Sequence, residues 1–365
     1  MTKFLNMKTT LKAIFIFLLI VLNFSINSIA QDKQLKFEKT LNHSFPSNLN
    51  TLLEINNLYG NITLNNWEKN EISVNVIISV WTDSEEKAQE YIQAFDVKII
   101  NDTTKISFTS IIDNNKLDKS FKKGKSSYQI NYVINHPVYL KVNLNNTYGD
   151  ISINEISGKT NIKLIHGKFN ATNLAFDDTK PVSKIQIEYG KATIGKCTWG
   201  EFVLNYSTID MQKSTAVIVK SKYSNVNINE AYVLISTSQY DNYKILQCNR
   251  MTISSNYTQI ESNLISKELI LNLSYGGCDI KQIAADFDNV NITSKYTNIT
   301  APIADGSCYK INVNVDYGSI KFSPKANVDK HKSAIGTSVN GFIGCKGNAS
   351  AKVSVDSKYG DIKLY

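Results

Sequence analysis

The sequence predicts an all-β protein, and within that class a parallel β-solenoid built from repeats of 17 to 21 residues. Three observations favour this fold. A phrase that begins with an aromatic residue recurs at a nearly constant spacing, the residues around it alternate between apolar and polar, and glycine or a small polar residue follows the aromatic one. Repeats too short to bury their own apolar face can bury a continuous core when they stack about 4.8 Å apart.

The repeat is defined by one column of aromatic residues. The phrase reads Tyr-Gly-Asp-Ile-Ser-Ile at 148–153 and Tyr-Ser-Asn-Val-Asn-Ile at 223–228. Its first residue, which we call the aromatic column, occurs in twelve copies: Tyr59, Tyr148, His166, Tyr189, Tyr206, Tyr223, Tyr240, Tyr257, Tyr275, Tyr296, Tyr317 and Tyr359. The spacing is 17 residues from Tyr189 to Tyr257 and 42 residues, or two units of 21, before Tyr359.

Alternation within each copy predicts two short strands that meet at the aromatic residue. Apolar residues stand three and five positions after it, as Val226 and Ile228 do, with polar Asn227 between them. A period of two marks a strand with one buried face. The glycines that follow the aromatic residue fit a corner with a left-handed backbone: Gly60, Gly149, Gly190, Gly276, Gly318 and Gly360. An antiparallel β-sandwich is the competing fold, but it has no reason to keep a fixed period.

Two segments depart from the repeat. Between Trp67 and Tyr139, the alternation at 72–81 predicts one long strand, Asp83-Ser84-Glu85-Glu86 predicts the capped start of a helix at about 83–96, and 97–100 with 105–112 predicts a hairpin. We expect the helix to cap an open end of the repeat stack. Near the other end, the small residues of 336–347 predict a loop that interrupts one repeat.

The first thirty residues predict a signal peptide. Lys3, Lys8 and Lys12 precede an apolar run at 13–22, and small residues at 28 and 30 suit a cleavage site. An uncleaved anchor is the alternative, but the run is shorter than the roughly 20 residues of a membrane span. The predicted domains are a signal peptide at 1–30, N-terminal strands with the capping helix at 31–145, and a continuous repeat region at 146–365. The mature chain, without a transmembrane segment, is expected in the periplasm, at the cell surface or secreted.

Composition and charge limit the partners. Hydrophobic residues make up 42% of the chain, which is enough to bury a core. Removal of the predicted signal peptide lowers the formal net charge from +8 to +5, because three lysines leave with it. This mild charge predicts no nucleic-acid partner. The basic cluster of Lys116, Lys119, Lys122, Lys123 and Lys125 is predicted to be a solvated loop, with contact to anionic lipid or polysaccharide as the alternative.

The cysteines predict buried thiols rather than a disulfide framework. Cys197 and Cys248 share a column but stand three repeats apart, which is roughly 14 Å and too far for a bond. Cys278 occupies an inward position. Five mostly buried thiols are therefore favoured, and pairing of Cys308 with Cys345 is left open. No spacing of cysteines or histidines predicts a metal site, and no cofactor is predicted.

No set of residues predicts catalysis. The four histidines are scattered, and no Gly-x-Ser-x-Gly phrase is present. Among outward-facing residues, Glu261 and Asp279 on adjacent repeats form the best carboxylate pair for acid–base work. No catalytic residue is assigned and the chain is predicted not to be an enzyme, with a carbohydrate-active β-helix enzyme as the alternative.

The recurring Tyr-Gly-Asp-Ile phrase, the Glu-Glu-Lys helix start and the final Ser-Lys-Tyr-Gly-Asp-Ile-Lys-Leu together carry a family resemblance. Over about 45–365 the chain resembles a bacterial adhesin family with β-strand repeats, a domain of unknown function found in exported proteins. The resemblance implies a β-solenoid and a cell-envelope setting, and it assigns no catalytic residues. The chain departs from the phrase where Ser or Thr replaces Gly after the aromatic residue in the middle repeats, which would alter the corner geometry.

The aromatic column is also the predicted candidate for a binding surface. Its middle members, Tyr206, Tyr223, Tyr240, Tyr257 and Tyr275, form either a structural ladder at the corners or an exposed strip on which sugars or another protein could stack. The predicted function is that of a non-enzymatic exported envelope protein, an adhesin or scaffold. Its expected partner is a polysaccharide or another envelope protein, and a signalling partner in the envelope is a further alternative.

Overall fold

The structure is a computed structural model that describes residues 35–119, 121–174 and 183–365. The predicted signal peptide lies outside these residues. The described chain is nearly all β, as predicted, and its strands join one large mixed sheet with parallel pairing in the middle. This parallel middle is consistent with the predicted solenoid.

The N-terminal region comprises seven strands and three short helical segments. The strands are β1 (Leu35–Pro46), β2 (Leu52–Leu58), β3 (Ile62–Asn66), β4 (Glu71–Thr82), β5 (Phe95–Asn101), β6 (Lys105–Ile112) and β7 (Ser127–His136). The helical segments are the α-helix α1 (Glu85–Ile92), a 3₁₀ turn (Asn114–Lys116) and a π turn (Phe121–Lys125). Seventeen further strands are described after them. They are β8 (Lys141–Thr147), β9 (Ile151–Ile156), β10 (Thr160–Ile165), β11 (Lys168–Leu174), β12 (Ser183–Glu188), β13 (Lys191–Asn205), β14 (Thr208–Lys222), β15 (Asn225–Gln239), β16 (Asn242–Asn256), β17 (Gln259–Ile283), β18 (Asn289–Thr300), β19 (Tyr309–Asp316), β20 (Ile320–Lys321), β21 (Ala326–Lys332), β22 (Gly336–Ile343), β23 (Ala351–Lys358) and β24 (Ile362–Lys363).

The middle of the sheet reproduces the sequence period. Strands β13 to β17 pair in parallel, each with the next, so that Ile209 lies opposite Val226, and Ile228 opposite Ile245. The inward positions are almost completely buried: Ile209 and Val226 are 0% exposed. Because the period aligns every inward column, one continuous apolar core runs through the repeats.

The N-terminal region extends the sheet beyond β8 and β9. Strands β2 and β3 form the repeat around Tyr59, and they pair with β8 and β9, which form the repeat around Tyr148. On their other side, β2 pairs with β6 and β3 pairs with β7. Antiparallel pairs β1–β4, β4–β7 and β5–β6 extend the two faces beyond the repeat around Tyr59. The predicted long strand and hairpin are confirmed, and the predicted helix is present but shorter, because β5 already begins at Phe95. Ser84 caps α1 by accepting a hydrogen bond from the amide of Lys87, and buried Ala88 and Tyr91 face the core.

The C-terminal strand does not follow the order of the sequence. Strand β23 is inserted between β18 and β19, so that Val353 lies opposite Val290 on one side and Ile311 on the other. The short strand β24 is likewise placed between β18 and β20. The last copy follows Tyr317 in the chain, but its strands lie one repeat earlier in the sheet.

The predicted loop at 336–347 is wrong over most of its length. Residues 336–343 form β22, which runs antiparallel to β19 and to β21. The strand has buried apolar positions, since Val339 and Ile343 are 1% and 2% exposed. The small residues around them hid this pattern in the sequence. The pairing also places Cys308 beside Cys345, and the two form a disulfide with 5.4 Å between their Cα atoms. The favoured prediction of five free thiols is therefore wrong for this pair, while Cys197, Cys248 and Cys278 are free and buried.

Candidate binding surface

The aromatic column forms one uninterrupted stack of rings. Within the described residues, eleven successive ring pairs lie 4.6–5.2 Å apart between centroids, with interplanar angles of at most 15°. The order follows the strands and not the chain, because Tyr359 is stacked between Tyr296 and Tyr317. His166 takes one place in the stack, 5.0 Å from both Tyr148 and Tyr189. Tyr128 closes the N-terminal end with an edge contact to Tyr59.

The rings stand at the surface. The eleven column tyrosines are 40–55% exposed. Since each ring face inside the stack is covered by the next ring, the parts that reach solvent are the ring edges and the phenol hydroxyls. The column therefore presents a row of hydroxyl groups with a step of about 4.8 Å, over roughly 50 Å.

Every residue of the aromatic column has a left-handed backbone, with φ between 50° and 59°. The prediction had assigned this conformation to the glycine that follows. The glycine is needed for a different reason: a Cβ built at Gly149 would lie 2.0 Å from the carbonyl oxygen of Gly60 in the neighbouring repeat. An L-residue in the left-handed region costs roughly 1–2 kcal/mol. Such strain persists only where the surroundings hold the backbone in place.

Hydrogen bonds between repeats supply that restraint. The amide of Tyr206 donates to the carbonyl of Lys222 at 3.0 Å, and the amide of Thr208 donates to the carbonyl of Gly190 at 3.0 Å. The same two bonds recur at the next corner, where Tyr223 and Asn225 are the donors. The corner is thus held by backbone bonds on both sides, whatever side chain stands in the column.

In the middle repeats, the small polar residue after the aromatic one turns inward and bonds to the next corner. The amide of Gly190 donates to Ser207 Oγ at 3.2 Å, and the amide of Ser207 donates to Ser224 Oγ at 3.2 Å. Asp241 continues this series, since its Oδ1 accepts from the amide of Ser224 at 2.6 Å. Where Ser or Asp replaces the glycine after the tyrosine, the close backbone contact between corners is replaced by hydrogen bonds from backbone amides to these side chains.

Asp241 is the centre of a buried polar network. Its carboxylate is 2% exposed and accepts from Ser221 Oγ and Ser238 Oγ, both at 2.7 Å, and from the amide of Gln239 at 3.0 Å. Ser221 also contacts the hydroxyl of Tyr243 at 2.6 Å. Sequence reasoning missed this network. The available signal was a charged residue at a position that is otherwise glycine, serine or threonine.

The outer faces beside the column are polar and charged. Lys222 and Lys295 place their ammonium groups 5.5 Å from the ring centroids of Tyr223 and Tyr296. Farther along the repeats, ion pairs join neighbouring strands, among them Lys191–Asp210 at 2.6 Å and Lys213–Glu230 at 2.7 Å. The exposed rim therefore combines hydroxyl groups with cations close to the rings.

The remaining sequence candidates lie outside the aromatic column. Glu261 and Asp279 are both exposed on the outer face of β17. In the ranges that the structure covers, no group of three or more His, Cys, Asp or Glu residues could hold a metal ion. Burial raises the pKa of the Cys197, Cys248 and Cys278 thiols to about 12, so these thiols are not nucleophiles in the folded protein. Among the described residues, no helix combines the length and hydropathy needed to cross a bilayer.

Two solved structures are similar to this chain. One is described as a "putative cell adhesion protein" from Clostridium sporogenes, with 13% identity, 89% of this chain and 99% of that chain covered, and a TM-score of 0.17. The other is a "putative adhesin" from Bacteroides fragilis, with 12% identity, coverage of 90% and 97%, and a TM-score of 0.30. No family model and no curated protein sequence matches the chain.

Proposed function

We propose that this chain is a non-enzymatic, exported cell-envelope protein that acts as an adhesin or scaffold. In this proposal, 1–30 directs export, 31–145 caps the stack, and 146–365 continues it as a β-solenoid rod. The rod binds through the aromatic column and the polar residues beside it, with an extended polysaccharide or another envelope protein as partner.

One observation carries the proposal: tyrosine occupies a strained corner position in eleven of the twelve repeats and is half-exposed each time. Glycine or asparagine would adopt this backbone at lower cost. Ring stacking contributes about 0.5–1.5 kcal/mol per pair, which is comparable to the strain and leaves little net gain in stability. A surface role for the hydroxyl row explains why tyrosine is used.

The geometry also defines how binding would occur. Ring faces are used within the stack, so a sugar ring cannot stack on them as it does on an isolated aromatic side chain. Phenol hydroxyls donate and accept hydrogen bonds, and lysines such as Lys222 add positive charge beside them. An extended polymer with hydroxyl or carboxylate groups would contact several repeats at once, and weak contacts would add up through multivalency.

The proposal is tested by replacing the hydroxyls while keeping the rings. Tyr206, Tyr223, Tyr240, Tyr257 and Tyr275 are changed together to Phe in the mature protein, and binding to an array of cell-wall and plant polysaccharides and to isolated envelope fractions is measured. We expect binding to fall at least tenfold. The matched control changes Tyr232 and Tyr365, which are 56% and 62% exposed and lie outside the column, to Phe. Equal binding by both variants, or no binding by the native protein, would overturn the proposal.

A further inference from the structure

We propose that the aromatic column is a site of oxidative cross-linking, at which a one-electron oxidant joins tyrosines of neighbouring repeats into dityrosine. This inference goes beyond the proposed function and does not depend on it. It rests on three features of the described residues: the distance between adjacent rings, the exposure of their hydroxyls, and the order of the stack.

The distance favours coupling within one molecule. Nine tyrosines follow one another without interruption from Tyr189 to Tyr317, and adjacent ring centroids are 4.6–5.2 Å apart. Two phenoxyl radicals formed on neighbouring repeats would therefore be held together by the fold and would not have to meet by diffusion. Proximity of this kind converts a reaction between two molecules into a reaction within one.

The chemistry needs only the phenols and an oxidant such as hydrogen peroxide used by a haem peroxidase. Each phenol O–H loses one electron and one proton, and the two radicals form a carbon–carbon bond between ring carbons ortho to oxygen. The hydrogen on each bonded carbon then moves to the phenol oxygen, which restores both phenols. In sum, two tyrosines and one hydrogen peroxide give one dityrosine and two waters. Exposure of the rings at 40–55% gives the oxidant access and lets protons leave to water.

The order of the stack makes the product specific. Tyr296 and Tyr317 are neighbours in the sequence period, yet Tyr359 lies between them, 4.6 Å from the first and 4.8 Å from the second. Coupling should therefore join Tyr296 to Tyr359 and Tyr317 to Tyr359. It should not join Tyr296 to Tyr317. His166 has no phenol, so it separates Tyr59 and Tyr148 from the run that begins at Tyr189.

The experiment treats the dilute, folded mature protein with peroxidase and limiting hydrogen peroxide, and identifies the cross-linked tryptic peptides by mass spectrometry. Lysines separate the three tyrosines into different peptides. We expect the Tyr296–Tyr359 and Tyr317–Tyr359 products, at a yield independent of protein concentration and absent from protein unfolded in urea. Cross-links formed only between molecules, or a Tyr296–Tyr317 product at equal yield, would overturn the inference.

The matched variant is Tyr359→Phe. Phenylalanine keeps the ring in the stack but has no O–H to oxidise, so both products should disappear while coupling between Tyr206 and Tyr223 continues. The unfolding midpoint measured before oxidation shows whether the variant is folded. If the variant does not fold, Tyr206→Phe tests the same step at the other part of the run. It should remove the Tyr189–Tyr206 and Tyr206–Tyr223 products and leave the two products of Tyr359. If a folded variant still formed a cross-link at the substituted position, the assignment of the coupled tyrosines would be wrong.

Discussion

Tyr359 stacks on Tyr296 with 4.6 Å between their ring centroids, although 63 residues separate them in the chain. Tyr317, which follows Tyr296 after 21 residues, is reached only through Tyr359. The buried hydroxyls of Ser294 and Ser357 mark the same neighbour relation inside the stack, 2.8 Å apart. The order of the rings in the aromatic column therefore matches the order of the repeats in the sheet.

Removal of one ring from the middle of the column should destabilise the protein. Tyr223→Ala loses contacts with Tyr206 and Tyr240, at 4.9 and 5.0 Å, and alanine does not relieve the left-handed backbone. We expect a loss of about 1–3 kcal/mol, from two stacked pairs. The urea midpoint followed by circular dichroism measures it, with Tyr232→Ala as the exposed control. Equal midpoints for the two variants would mean that stacking contributes nothing.

Removal of the buried Asp241 carboxylate should lower the free energy of unfolding more than removal of the Tyr223 ring. Asp241→Ala leaves Ser221, Ser238 and two backbone amides without their acceptor inside the core. Because these buried donors lose a carboxylate acceptor, we expect the free energy of unfolding to fall by about 3 kcal/mol or more. Asp279→Ala on the exposed face of β17 should change the urea midpoint little. A stable Asp241→Ala protein would show that water replaces the carboxylate.

Neighbouring residues of one strand should respond in opposite ways to the same new charge. Ile253 is 0% exposed and Ser254 is exposed on the outer face of β16. Ile253→Asp should lower stability by about 4 kcal/mol or more because an unpaired charge is buried, whereas Ser254→Asp should be near neutral. Thermal unfolding of the two purified variants measures the difference. The reverse ranking would contradict the register.

Thiol labelling should count the cysteines in three steps. Iodoacetamide at pH 8 should label none in the folded protein, because Cys197, Cys248 and Cys278 are buried and their thiol pKa values are raised to about 12. Unfolding without reductant should expose three thiols, and reduction should add Cys308 and Cys345. Intact mass spectrometry gives each number. Labelling of five cysteines without reductant would exclude the disulfide.

The sequence period predicted the all-β class and the inward columns, and Asp83-Ser84-Glu85-Glu86 predicted the start of α1. The period could not predict neighbour order at the C-terminal end, because strands β19 and β23 carry the same alternation. Val353 and Val355 fit beside Val290 and Ile292 as well as Ile311 and Val313 would. The pairing of β22 with β19 and β21 and the Cys308–Cys345 bond are long-range contacts at this end that periodicity does not contain.

For the candidate surface, the sequence predicted which residues share a column but not how they are oriented. Backbone conformation was assigned to the glycine because glycine adopts positive φ most easily. The structure gives positive φ to the preceding tyrosine, and glycine follows it where two corners approach closely, as at Gly60 and Gly149. Asp241 escaped notice because a single acid in a polar column resembles a solvated residue.

The insertion of β23 between β18 and β19 also means that β18 is synthesised before its partner on one edge. Residues 289–300 are synthesised before 351–364, so the edge of β18 that pairs with β23 and β24 in the folded chain has neither partner until 351–364 are made. Unpaired edges are where chains associate with one another. Chains cut short before residue 351 would lack β23 and β24, and their β18 edge would be open to association with other chains.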